Sequence, residues 1–188
     1  MEVVEAIRTR RARRVFSDRP VEDDKMEALV EAVRLSASCN NNQPWRIVIC
    51  KSDESIAGAR SALSRGNAWA TRAPIIMVIA AQPVDDCQLS DRRDYYLFSA
   101  GLAIGQLELG ATELGLIAHP IAGFDPLKAK EALGIPADYV VITFVIIGFP
   151  GTDDSLLSDK QKTIEPTRPD RKPIGENFYL DRWGNPFH

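Results

Sequence analysis

Two stretches of this chain carry polar groups in patterns that could do chemistry. Residues 36–45 read Ser-Ala-Ser-Cys-Asn-Asn-Asn-Gln-Pro-Trp. Asparagine favours turns and tolerates left-handed backbone, because its amide can bond its own main chain. Pro44 pushes Gln43 toward an extended conformation. The result is a shaped loop rich in amide donors and acceptors, which are costly to bury unpaired. Either water satisfies them, in a solvated connector, or a polar ligand does. The second stretch is residues 8–16, Arg-Thr-Arg-Arg-Ala-Arg-Arg-Val-Phe, with five arginines in seven residues. Such a cluster repels itself unless an anion is near. It reads as a solvated basic face offset by the acids at 22–24, or as a phosphate clamp, since a guanidinium fork matches phosphate oxygens in bidentate fashion. A nucleic-acid patch is the third reading, but no aromatic residue is interleaved with the arginines to stack on bases.

Composition narrows the field. The chain has 188 residues, 45% apolar and 26% charged, which suits one domain, residues 1–188, with a sizeable core. A net charge of −3 gives no global reason to expect nucleic acid. Cys39, Cys50 and Cys87 share no metal-like spacing and do not pair evenly, which predicts reduced thiols and a cytoplasmic setting. Cys39 has no histidine or helix start beside it to activate a thiol. With only His119 and His188 available, no zinc or two-histidine iron site is expected. The chain is charged within two residues of its start, which predicts no signal peptide, and no segment has the ~20 apolar residues of a membrane span.

The elements that must position these groups follow from periodicity. Val3, Val4 and Ile7 predict a short helix over 2–11. Acids at 22–24 suit a helix start, and Met26, Leu29, Val30 and Val33 mark one buried face leading into the amide loop. Residues 47–50 read as a strand, and 54–65 as a helix ended by Gly66-Asn67. Residues 74–81 form a continuous apolar run, expected to be a central strand covered on both faces. Residues 94–117 make the longest helical candidate, and no charge lies between Asp94 and Glu108. A helix apolar all round is buried in a large core or an interface, so it is expected at or beside a two-fold homodimer contact. Residues 119–124 read as a turn-rich piece, with His119 as a turn residue near the site. Asp125 caps a helix with Pro126 at its first position, and 140–147 form a second central strand. Residues 152–173 read as an extended arm, followed by an aromatic tail, Phe178, Tyr179 and Trp183, that needs a surface to cover. Trp45 and Trp69 are expected as core or interface anchors.

Several of these segments together resemble the nitroreductase family of flavoenzymes. Residues 10–16 resemble its arginine–arginine–serine–x–arginine opening. Residues 38–45 resemble its serine–x–x–asparagine–x–glutamine–proline–tryptophan signature. Residues 119–126 and 147–151 are similar to its later landmarks, and residues 171–174 and 181–184 to its closing segment.

The resemblance implies an α+β fold, with a mostly antiparallel four-stranded sheet flanked by helices. It also implies an intertwined homodimer in which the C-terminal arm, residues 152–188, is exchanged, with FMN at the interface. By the same resemblance Arg10, Arg11, Ala12 and Arg14 would lie along the phosphate and ribityl end, with Arg168 and Arg171 closing over the phosphate. Ser38, Asn41 and Gln43 would reach the same flavin from the other subunit. Pro120, Ala122 and Gly123 would lie against the ring near N5. No protein side chain is expected to carry the catalytic step; flavin N5 does, with NAD(P)H as co-substrate and a small-molecule oxidant such as a nitroaromatic or quinone as acceptor. The alternatives are a flavin carrier or sensor, or a specialised branch that fragments flavin or dehalogenates. The chain departs from the pattern at Ala12, where serine is usual, at Ala37, where proline is common, at Arg13, an added charge, and at Pro169, where some members carry a second basic residue.

Overall fold

The computed structural model describes residues 2–187. Eleven helices and strands place the groups named above. They are α1 (Val3–Thr9), α2 (Asp23–Arg34), β1 (Trp45–Cys50), α3 (Asp53–Ser61), β2 (Ile75–Ala81), α4 (Tyr95–Glu113), β3 (Ile117–Ile121), α5 (Pro126–Leu133), β4 (Val140–Gly148), α6 (Asp159–Ile164) and α7 (Ile174–Asn177). The strands form one sheet in the order β1-β2-β4-β3. Every pairing is antiparallel, so the fold is α+β, as the resemblance implies.

Of the two central strands, β2 is apolar along its whole length and β4 is interrupted only by Thr143, because both faces of each are covered over most of their length. Ile76, Val78 and Ala80 of β2, with Phe144 and Ile146 of β4, face a core that includes Ile56 and Ala59 of α3 and Ala129 of α5. The alternate residues Ile75, Met77, Ile79, Val145 and Ile147 face the other core, with Met26, Leu29 and Val33 of α2 and Ala103, Leu107 and Ala111 of α4. The period of two along a strand puts neighbours in different cores.

Four boundaries differ from the sequence reading. The strand β1 begins two residues early, at Trp45, which pairs with Ala81. Residues 54–65 are not one helix: α3 ends at Ser61, and a 3-10 stretch runs from Arg65 to Arg72. There the backbone turns to meet the loop after β3. Ser64 N donates to Gly123 O at 3.0 Å, and Asp125 N to Ala62 O at 2.7 Å. Residues 117–121 are a strand rather than turns, with Ile117 opposite Gly148 and Ile121 opposite Phe144. Pro120 hid it, yet proline is tolerated on an edge strand such as this one. The stretch 152–173 is not extended throughout, because α6 starts there behind a capping box made by Ser158 and Gln161.

The chain divides into two compact units, the first ending at Leu157 and the second beginning at Ser158. Within the second, residues 178–187 fold back on themselves. Tyr179 bridges Pro186, Phe187 N donates to Phe178 O at 2.9 Å, and the rings of Tyr179 and Trp183 lie 4.8 Å apart.

Candidate flavin site

The arginine stretch follows α1 as irregular chain, and the two residues after it anchor it. Val15 and Phe16 are buried. Ser17 N donates to Phe149 O at 2.9 Å and Gly151 N to Val15 O at 3.0 Å, so the segment is stitched to the chain leaving β4. A Cβ on Gly151 would collide with the Phe16 backbone, which is why glycine stands there. Three of the arginines have separate supports. Arg10 Nη1 pairs with Glu108 of α4 at 3.1 Å. Burial pushes the Glu108 carboxyl above its ordinary value, and the Arg10 charge pulls part of the way back. Arg14 lies over the ring of Trp69, 5.9 Å from its centre. His119 Nδ1 bonds Arg13 O at 2.7 Å, and its ring lies 4.7 Å from that of Trp69.

His119 is therefore a buried strand residue that holds the arginine backbone, not a turn residue. Trp69 is a core residue, as expected, and it also forms the floor under Arg14. Arg10, Arg11 and Arg13 all line one surface cavity of about 340 Å³, together with Leu116, Ala118 and Pro150. Arg13, the added charge of the sequence reading, shares this cavity. Its place was hidden because the rest of the wall comes from distant parts of the chain: Thr112 of α4, Leu116, Ile117 and Ala118 at the start of the missed β3, and Pro150. Ala12 is exposed.

The amide loop holds itself together. Asn40, Asn41 and Gln43 have φ of 48°, 59° and 48°. Left-handed asparagines fit the sequence reading, but Gln43 does not, because Pro44 was expected to keep it extended. A local network overrides that preference. Gln43 N donates to Ser38 Oγ at 2.9 Å, and Gln43 Nε2 donates to Asn41 O and Oδ1 at 3.2 and 3.1 Å. A side chain held at positive φ costs ~1 kcal/mol or more and tends to persist where geometry serves function.

A disulfide joins Cys39 of this loop to Cys87, with Cα atoms 6.0 Å apart, and only Cys50 is a free thiol. The expectation of three reduced cysteines is overturned. A separation of 48 residues left no spacing signal to find. Cys50 remains a thiol: it is fully buried, and desolvation pushes it up to about 11.

The third segment follows β3. Ala122 is exposed, and Gly123 is clasped through its carbonyl, which accepts from Ser64 N at 3.0 Å and from Asn67 Nδ2 at 2.9 Å. A Cβ on Gly123 would stand 2.5 Å from Asn67 Nδ2 and 2.6 Å from Ser64 Oγ, so any larger residue would push these two side chains away from the loop. Asn67, read from sequence as a helix end, is the residue that fixes this loop. In the second unit Arg171 Nη1 donates to Pro169 O at 3.3 Å, and Arg168 is exposed.

The arginines and amides sit at opposite ends of the sheet. The amide loop enters β1 at Trp45, beside the end of β2 at Ala81. The arginine stretch is tied to Phe149, Pro150 and Gly151, beyond the end of β4, which lies level with the start of β2. The length of β2 alone separates these ends by ~20 Å at 3.3 Å per residue.

The comparisons with known proteins agree with this architecture. The family model of the nitroreductase family matches residues 7–67 and 54–149. An Archaeoglobus fulgidus protein, provisionally named an NADH dehydrogenase/NAD(P)H nitroreductase, is 30% identical over 160 residues, spanning 79% of this chain and 86% of its own. A Bacillus subtilis FMN reductase [NAD(P)H] is 25% identical over 165 residues, 79% of this chain and 66% of its own. A crystal structure of an oxidoreductase containing FMN superposes with a TM-score of 0.83 at 26% identity, over 96% of this chain and 92% of that one. The antiparallel α+β sheet and its flanking loops thus define a flavin-type oxidoreductase fold. The chain belongs to the nitroreductase family. Among the described residues, no helix is long and apolar enough to cross a membrane.

Proposed function

We propose that the chain passes hydride from NAD(P)H by way of FMN N5 to a nitroaromatic, quinone or similar small acceptor, by a ping-pong mechanism. Its family makes it an NAD(P)H-dependent flavin oxidoreductase with FMN as its cofactor. The observation that carries the reading is the cavity lined by Arg10, Arg11 and Arg13, at the end of a sheet whose other end presents the amide loop.

The donor set suits FMN. A phosphate dianion needs several charge-assisted bonds, and guanidinium groups supply them in bidentate geometry. In this reading Arg10, Arg11 and Arg14 hold the phosphate and ribityl end, beside the backbone of Ala12, and Arg168 and Arg171 close over it. Glu108 and Trp69 fix the first and last of the three main arginines before the anion arrives. Ser38, Asn41 and Gln43 bond the ring edge. Pro120, Ala122 and Gly123 lie against the ring, with Asn67 holding that loop still. FMN itself supplies the hydride chemistry; the chain binds, orients and sets the charge around it.

The ~20 Å between arginines and amides supports a homodimer. One chain holds the anionic tail and a second supplies the carboxamides, so two sites form at one two-fold interface. Exposed apolar side chains fit that contact: Val3 and Val4 of α1, and Leu97, Phe98 and Leu102 of α4. The outer edge of β1, which no described strand pairs, borders a mostly apolar hollow of about 230 Å³ lined by Val30, Arg34, Trp45, Ile47 and Ile49. In this reading residues 1–188 act as one FMN-binding domain, and the arm at 152–188 is what the partner exchanges. NAD(P)H is an intracellular reductant, which keeps a cytoplasmic setting within the proposal.

The test is direct. Purified protein reconstituted with FMN should be yellow, release FMN on denaturation, and oxidise NADH or NADPH when a nitro or quinone acceptor is added. Initial rates at several acceptor concentrations should give parallel double-reciprocal lines. Bound FMN with no nicotinamide consumption would point instead to a flavin carrier, and failure to bind FMN would overturn the reading.

A further inference from the structure

The reductase reading leaves one cluster unused: Cys39, Asp86 and Cys87. One ligand atom from each residue lies within 4.8 Å of the other two. Asp86 is 5% exposed. Its Oδ1 is engaged, accepting from Cys87 N at 2.8 Å and Asn42 Nδ2 at 3.3 Å. Its Oδ2 is buried and, among the described residues, has no hydrogen-bond partner. The neighbouring Asp85 has Arg46 at 3.2 Å, but no salt bridge reaches Asp86 among the described residues.

A disulfide does nothing for a bare carboxylate oxygen, since it carries neither charge nor a polar hydrogen. Leaving such an oxygen buried and unsatisfied is costly. A state of the cluster that brings a cation would remove the cost. The surroundings of the sulphurs agree. Asn40 Nδ2 and Asn42 Nδ2 point at Cys87 Sγ from 3.6 and 3.8 Å. Amide donors do little for a neutral sulphur and much more for a charged one.

Two thiolates and one carboxylate are a zinc-type set, tetrahedral once water takes the fourth place; hard cations such as calcium or magnesium prefer all-oxygen sites. Cys87 also lines a surface cavity of about 240 Å³, with Gln88, Arg92 and Tyr95, which gives ions and oxidants a way in.

We propose that the reduced form of this cluster binds one zinc-class divalent cation through Cys39 Sγ, Cys87 Sγ and a carboxylate oxygen of Asp86, and that oxidation to the disulfide expels it. With a peroxide as oxidant the step balances. The two metal-bound thiolates lose two electrons and form the S–S bond. Hydrogen peroxide takes those electrons and two protons to give two waters. The cation leaves as the aquo ion. Both states tie residues 38–43 to the segment before α4, so the exchange changes the charge beside the amide loop without releasing it.

The experiment uses the whole protein, reduced anaerobically with a phosphine and titrated with Co²⁺ as a visible stand-in for zinc. One equivalent should produce a thiolate-to-cobalt charge-transfer band that Zn²⁺ displaces. The same protein in its disulfide form should show none. Zinc-loaded protein treated with peroxide should release one equivalent to a colorimetric chelator for each disulfide formed. Cys39→Ser and Cys87→Ser should abolish the band, Asp86→Asn should weaken binding at least tenfold, and Cys50→Ser should change nothing. The comparison of reduced with oxidised wild type needs no variant to fold. No band in the reduced wild type, or undiminished affinity in Asp86→Asn, would overturn the proposal.

Discussion

The arginine stretch and the amide loop are two halves of one proposed site, yet they are built by different physics. Residues 10–16 have almost no structure of their own. Their shape comes from distant parts of the chain: Glu108 on α4, His119 on β3, Trp69 after α3 and the backbone at 149–151. Residues 38–43 are the reverse. Three left-handed residues and several bonds spanning five positions or fewer shape them, while the disulfide and the bonds of Asn40 and Asn42 to residues 86 and 87 pin them in place. A phosphate clamp needs charges held against mutual repulsion, which only a rigid body of packed elements can do. A ring-edge loop needs its amides aimed, which local hydrogen bonds and fixed dihedrals accomplish.

The sharpest way to break the comparison is Trp69→Ala. It removes the floor beneath Arg14 and His119 together with a core side chain that is 2% exposed. Loss of ~3–5 kcal/mol is expected in denaturant unfolding, as for other buried aromatics. FMN retention should fall with it. An effect under ~1 kcal/mol would mean that the arginine half does not depend on the core.

The amide half should answer most strongly to its covalent link. Replacing Cys39 and Cys87 together with alanine opens a loop of 48 residues and should cost ~2–4 kcal/mol by equilibrium unfolding. An unchanged midpoint would show that hydrogen bonds alone fix the loop.

Arg10→Ala should cost ~1–2 kcal/mol, because it strands the Glu108 carboxylate in a partly buried place. It should also weaken FMN binding about tenfold or more, as measured by fluorescence titration, if one charge-assisted bond is lost. Glu108→Gln separates charge from packing. The Glu108 value is raised, so the protonated form is favoured in the fold. Its contribution is full below the ordinary carboxylate value and is lost as pH rises through the raised one. Wild type should therefore lose stability relative to Glu108→Gln on going from mildly acid to neutral pH, read as diverging melting temperatures.

The smallest expected effect is Ser38→Ala, which takes one acceptor from Gln43 N. A loss of ~1 kcal/mol is expected. It should appear as faster amide exchange confined to residues 39–43, with the arginine half untouched.

How much of this was legible before folding follows the same division. The helices α2 and α5 and the strands β2 and β4 announced themselves, through a three-and-four period, through Asp125-Pro126, and through apolar runs broken only by Thr143 in β4. The motifs at 10–16 and 38–45 pointed to the family only together with those at 119–126, 147–151, 171–174 and 181–184, in that order along the chain. The edge strand β3 was masked by Pro120 and a buried histidine. The helix α6 went unread although its capping residues were visible. Arg13, His119, Asn67 and Glu108 could not be placed, since each acts on a partner 50 or more residues away.

Sequence by itself determined what is local: the period of each amphipathic element, the caps, and the turn chemistry of consecutive asparagines. These depend on neighbours within a few residues, so a reader of the string holds all the relevant partners at once. Only the tertiary structure decided that Cys39 meets Cys87, that Glu108 holds Arg10, and that arginines and amides stand at opposite ends of one sheet. Such pairings arise from how whole elements pack to bury two apolar faces, and that packing is a property of the assembled chain and of no segment within it.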